Sequence, residues 1–182
     1  SFMSHFAERQ GKELTDRQLF IMGRHQGLLT PFLDWTRSPF IAAFFGAVEV
    51  VERLDQRSGG HFAILELSSW LFPLDLSKRA GDGAPLRRHA LQINAAIVGN
   101  PRGIAERGVA TYLFPDTDIE TFADEVLTGN CGFEQPLRKY TIPHACAEDV
   151  LHGLQQMNIN YVTLFPDEFG LAKQANLNLY LH

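Results

Sequence analysis

Asp34-Trp35-Thr36-Arg37-Ser38-Pro39-Phe40-Ile41-Ala42-Ala43-Phe44-Phe45-Gly46-Ala47-Val48 is the stretch on which the fold turns. The Ser38 hydroxyl can accept from an unpaired N–H of a first helical turn, and Pro39 suits the first helical position, where no N–H is needed. Phe40 to Val48 is apolar on every side, so the pattern predicts a helix buried all round, with Phe40, Phe44 and Phe45 inside. From Glu49 the sequence becomes amphipathic and Glu49 and Arg53 stand at i,i+4. The helix is expected over Pro39 to Gln56, ending before Ser58-Gly59-Gly60.

Working outward, Thr15 to Gln26 reads as a helix capped by Thr15 and stopped by Gly27, and Leu28 to Trp35 as a loop or short strand. His61 to Leu67 is apolar on both faces, as a central strand would be. Ser77 to Arg88 is a polar insertion read as a loop. Leu91 to Val98 is a strand or short buried segment, Val109 to Phe114 a strand and Asp116 to Leu127 an acidic helix. Leu137 to Ile142 is a strand ending at Pro143. Ala147 to Met157 is a helix with Val150, Leu151, Leu154 and Met157 on one face. Tyr161 to Phe165 reads as a short strand, and the remainder as helix. Strands and helices mix without a βαβ rhythm, which predicts an α+β domain over residues 1–182, a mixed sheet with a buried central helix.

The composition narrows the class. A chain of 182 residues that is 45% hydrophobic and 20% charged can close one core and is not a disordered tail. A net charge of -5, from 21 acidic against 16 basic side chains, argues against duplex nucleic acid or an anionic membrane as the main partner. Two cysteines make no disulfide framework, which favours a reducing, cytoplasmic setting. The longest apolar run, Phe40 to Val48, is about half of the ~18 residues a spanning helix needs. The 14 phenylalanines read chiefly as core anchors.

Most chemical signatures are missing. The seven histidines form no H-x-x-x-H pair and the cysteines no C-x-x-C, so no metal site is expected. There is no nucleophile elbow and no phosphate loop. What stands out is the corner from His25 to Ser38. A helix-loop-helix corner in which Asp34 and Ser38 cap the next helix explains part of it. It leaves unexplained why His25, Asp34 and Arg37 crowd the entry of an apolar helix. The backbone N–H groups at that entry offer an anion pocket next to Arg37. His25, Asp34, Trp35, Thr36, Arg37 and Ser38 are therefore the candidate binding residues, and His25, Asp34, Trp35, Thr36 and Ser38 are expected to face one cleft.

The same corner resembles the signature of the FRG domain, approximately H-[YHQ]-G-L-P-T-R-L-L-D-W-T-x-S-P-L-x-A-L-x-F-A. Here it runs from His25-Gln26-Gly27-Leu28 through Asp34-Trp35-Thr36-Arg37-Ser38-Pro39 to Ala47. Asn100-Pro101-Arg102-Gly103-Ile104-Ala105-Glu106-Arg107-Gly108 is similar to a second segment of the family. Leu137 to Pro143 resembles its "L-x-K-x-x-I-P" strand. Met157-Asn158-Ile159 with Thr163-Leu164-Phe165-Pro166-Asp167 and Gly170-Leu171-Ala172 resembles its C-terminal segment. The sequence departs at Thr30-Pro31-Phe32, where the family has Pro-Thr-Arg, and at Glu106, where it has Gln. Ala110 also stands where an aromatic is common. The Phe/Tyr-Arg-Gly triplet that names the family is expected upstream of Ser1, so the chain reads as an FRG-like domain lacking its first strand.

The resemblance implies a layout like that of ADP-ribosyltransferases with an arginine, a hydroxyl motif and a late glutamate. Thr36-Arg37-Ser38 is similar to the middle element, and Glu106, ahead of Val109 to Phe114, is the candidate catalytic residue. A carboxylate suits that role because an oxocarbenium-like ribosyl centre needs a nearby negative charge and an acceptor needs a base. The preferred reading is a bacterial toxin or defence effector that binds NAD and transfers or hydrolyses its ADP-ribose. A non-catalytic module of such a protein, binding a nucleotide or a protein partner, is the alternative. A nucleic-acid-directed domain using Arg87, Arg88, Arg102 and Arg107 is the third. With the pyrophosphate-binding arginine assigned upstream, this chain alone is expected to be inactive or very weak as a transferase, even if the full-length protein is an enzyme.

Overall fold

The computed structural model describes residues 23–24, 28–30, 32–53, 59–68, 91–94, 101–112, 118–121, 123–124 and 135–181, with the side chains at 91–94 and 112 left aside. In chain order these form β1 (Phe32–Thr36), α1 (Pro39–Glu52), β2 (His61–Leu67), β3 (Leu91–Asn94), α2 (Pro101–Ala105), β4 (Gly108–Tyr112), a single helical turn at Ile119–Thr121, β5 (Leu137–Pro143), α3 (Ala147–Gln156), α4 (Tyr161–Leu164) and α5 (Glu168–Tyr180). The architecture is α+β. The expected mixed sheet is corrected: among the described residues every strand pair is antiparallel, in a three-stranded sheet ordered β1-β4-β3 and a separate pair β2-β5.

Helix α1 starts where its sequence says it should. Ser38 is in extended conformation, its Oγ accepts from the Ile41 N–H, and Pro39 opens the first turn. The buried positions Ile41, Phe44, Ala47, Val48 and Val51 recur at three- and four-residue intervals, and this stripe is the centre of the core. Two expectations for this helix are corrected. It ends at Glu52, where the Arg53 N–H closes on the Glu49 carbonyl, and residues 54–58 lie outside the described ones. Phe40 is 50% exposed: it stands in the first turn of the helix, one turn ahead of buried Phe44.

Against that stripe pack Phe62 of β2, Leu151 and Leu154 of α3, Tyr161 and Leu164 of α4, and Leu177 of α5. Gly46 lets β2 approach, since a Cβ there would stand 2.6 Å from the Phe62 ring. Phe44 meets the Tyr161 ring edge-on at 5.2 Å, and Phe45 meets Phe165 edge-on at 6.1 Å. The polar tip of Tyr161 is satisfied. Its hydroxyl donates to Glu52 at 3.3 Å, and Lys173 donates to both oxygens of the same carboxylate. Burial and the Glu52 charge push that phenol well above its ordinary range.

Three further readings change. Among the described residues His61–Leu67 is no central strand, because there it pairs with β5 alone and only Phe62 of it is buried; an apolar composition on both faces did not bring a second described neighbour. The segment read as a strand at Tyr161 to Phe165 is helix α4. A capping box decides it: the Asn160 side chain accepts from the Thr163 N–H, and the Thr163 hydroxyl accepts from the Asn160 N–H. Met157 is 51% exposed because α3 has ended by then and it serves as the C-cap, while Leu151 and Leu154 are buried as expected. The helix expected at 15–26 is described only at Gly23 and Arg24, and the insertion at 77–88 lies outside the described residues. The acidic helix expected at Asp116 to Leu127 is described over 118–121, of which Ile119–Thr121 forms one turn, and at 123–124.

Candidate functional site

The corner between β1 and α1 is bonded to the turn between α2 and β4. Antiparallel pairing sets Thr36 opposite Gly108 and Asp34 opposite Ala110. Beyond the ladder, the Thr36 hydroxyl donates to the Glu106 carbonyl at 2.6 Å, and the Arg37 N–H donates to the Arg107 carbonyl at 3.2 Å. The turn is closed by the Glu106 N–H on the Arg102 carbonyl at 2.8 Å and the Arg107 N–H on Ile104. Arg107 takes φ +52°, the left-handed conformation that lets the chain reverse straight into β4. Residues 34 and 106, far apart in sequence, are thereby neighbours.

Their carboxylates feel each other. Asp34 is ion-paired to Arg24, which also donates to the Thr30 hydroxyl at 3.3 Å. Glu106 is half-buried, and desolvation first, then the Asp34 charge, push its carboxyl up to about 7, against the opposing pull of Arg102. Two carboxylates in unlike settings, one paired with a guanidinium and one partly stripped of water, form the pattern from which acid–base function is built. At neutral pH, Glu106 is poised to give or to take a proton.

The other corner residues divide. Trp35 points to the opposite face of β1, as strand alternation requires, and its indole N–H donates at 2.7 Å to the hydroxyl of Thr111, a residue with 0% exposure. It does not share the side of Asp34 and Thr36, which corrects the expectation of one common cleft. The Thr36 hydroxyl also accepts from the Ser38 N–H at 3.1 Å, and the Ser38 hydroxyl is used in capping α1. Asp34 caps nothing: it lies in mid-strand. Arg37 is exposed, and His25 lies outside the described residues. Arg24 and Arg102, which flank the two carboxylates, were not assigned to this site from sequence. The i,i+4 spacing of Arg102 and Glu106 was a usable signal. Nothing local marked Arg24 as the partner of Asp34.

Among the described residues no group of three His, Cys, Asp or Glu side chains could hold a metal ion, and no helix is long and apolar enough to cross a membrane. Residues 1–55 match the family model of the FRG domain. No curated protein and no solved structure matches the chain. The matched stretch carries β1, α1 and the corner from Asp34 to Ser38, and it stops short of Glu106. Over residues 1–55, less than a third of its length, this chain is similar to the FRG domain.

Proposed function

We propose that this chain binds a nucleotide and acts on the ADP-ribose of NAD, with Glu106 as the proton-transfer group. The observation that carries this reading is the half-buried Glu106 carboxyl beside Asp34, raised to about 7. In such a reaction the bond from ribose C1′ to the nicotinamide nitrogen breaks and nicotinamide leaves with the bonding pair. The positive charge left on the ribosyl centre is met by the Asp34 carboxylate. The incoming hydroxyl, amine or water forms the new bond to C1′ and loses its proton to ionised Glu106. The first turn of α1 has no acidic residue, and exposed Arg37 and Arg107 stand together beside it, a setting that favours an anionic diphosphate.

One observation favours the non-catalytic alternative, in which a nucleotide is held and not cleaved. The hydroxyls of Thr36 and Ser38 are already engaged by the fold. The test is calorimetric titration of the chain with NAD, followed by incubation with labelled NAD and lysate. Binding together with label transfer that falls about 100-fold in Glu106→Gln supports catalysis, given the usual size of general acid–base effects. Binding without turnover supports the alternative. Absence of binding at millimolar NAD overturns both.

A further inference from the structure

We propose that Asp167 is a positioning residue for Glu106, acting through Arg102, which it clamps against the turn that carries the glutamate. The functional meaning rests on the reading of Glu106 given above; the clamp itself is a matter of geometry.

Helix α2 has five residues and one buried position, Gly103, too little to hold itself in place. Its second residue, Arg102, supplies the anchorage. The Nε and Nη2 groups of one guanidinium both donate to Oδ2 of Asp167, at 3.0 and 2.6 Å. The same guanidinium lies over the rings of Phe165 and Phe169, at 5.3 and 5.0 Å from their centroids. Asp167 is itself fixed: its Oδ1 caps α5 by accepting from the Gly170 N–H at 3.1 Å. Gly170 lies close against the preceding chain, since a Cβ there would stand 2.0 Å from the Phe165 carbonyl oxygen.

From this fixed point the connection reaches the candidate site in one residue, since the Arg102 carbonyl accepts from the Glu106 N–H. The charge follows the same route. Two charged groups act on the Glu106 carboxyl: Asp34 from β1, itself held by Arg24, and Arg102 from α2. Arg102 alone is attractive. A three-carbon arginine stem free in water spreads its charge over many rotamers, so clamping keeps this favourable charge near the glutamate. Between Glu106 and Asp167 the chain runs through β4, β5, α3 and α4, which is why this link is visible only in the fold.

The test reads Glu106 directly and needs no NAD, so its failure is distinct from failure of the NAD reading. The side-chain carboxyl of Glu106 is titrated by NMR in the 13C-glutamate-labelled chain, assigned with Glu106→Gln. Asp167→Asn keeps an N-cap and loses the charge partner. Arg102→Met is expected to raise the Glu106 midpoint by about one pH unit, the low end for loss of a neighbouring opposite charge. Asp167→Asn should raise it by a smaller amount, and should do nothing further in the Arg102→Met background. If Asp167 acted on Glu106 directly, removing its negative charge would lower the midpoint instead. A lowered or unchanged midpoint in Asp167→Asn, or a shift that persists in the Arg102→Met background, overturns the proposal. Arg102→Lys, which keeps the charge and loses the fork, is the second variant: a wild-type midpoint there overturns the positioning role, and a raised one supports it.

Discussion

Among the described residues two carboxylates, Glu52 and Glu106, are half-buried, and their surroundings treat them differently. Where α1, α4 and α5 meet, Glu52 accepts from the Tyr161 hydroxyl and from Lys173, and both donors support its charge. Where β1 meets the α2–β4 turn, Glu106 is half-buried beside a second carboxylate, with Arg102 as the cation acting on it. The first arrangement fits a core that only has to hold together. The second is held at a cost, the kind of arrangement from which acid–base sites are built. The contrast separates scaffold from candidate site without reference to any relative.

The scaffold side of the comparison carries the largest expected effect. Phe44 is 1% exposed and meets both Phe45 and Tyr161, so Phe44→Ala should cost about 3–5 kcal/mol, as aromatic truncations in a packed core do. Urea denaturation measures it. A loss under about 1 kcal/mol would mean that the aromatic cluster does not hold the core.

The site side is probed by pH. The folded-state carboxyl of Glu106 lies near 7, above its ordinary unfolded value, so the folded state holds a proton that the unfolded state has released. Stability is therefore full below the ordinary glutamate range and falls as pH rises towards about 7. Glu106→Gln should remove that part of the slope and make the chain more stable than wild type at pH 8, read by thermal melts at pH 5 and pH 8. A Glu106→Gln chain with an unchanged slope would erase the distinction between the two regions.

The smallest effect belongs to neither region. Arg53 and Glu49 form an i,i+4 pair at 2.7 Å with both side chains more than half exposed. Arg53→Ala should cost about 0.3–0.5 kcal/mol, less at high salt. A larger loss in the same melts would mean that surface charge matters here as much as the buried networks do.

The sequence made one of these regions more legible than the other, for physical reasons. Helix α1 was readable because its signals are local: Ser38, Pro39 and an apolar stripe at helical spacing. Strand β5 was readable for the same reason, ending at Pro143 as expected. Helix α4 was not, since a short apolar run has no period to read and its capping box was overlooked. The expectation for β2 failed because composition reports apolarity and not the number of neighbours. The corner residues could be picked out, yet their division between two faces of β1 became visible only once the strand's limits were known. The meeting of Asp34 with Glu106 depends on the pairing of β1 with β4, a non-local event that no window of sequence contains.

Strand β1 has a consequence for how this protein can change. Five residues serve two opposed duties by alternation, with Asp34 and Thr36 towards the turn at Glu106 and Trp35 towards Thr111. Substitutions alter one duty at a time. A one-residue insertion or deletion that shifted the register against β4 would exchange the two sides together, setting an indole where the carboxylate stood and the carboxylate against a hydroxyl sealed from water. Lineages of this chain are thus free to vary the letters of β1 but not its length, and a library built here should randomise positions and never spacing.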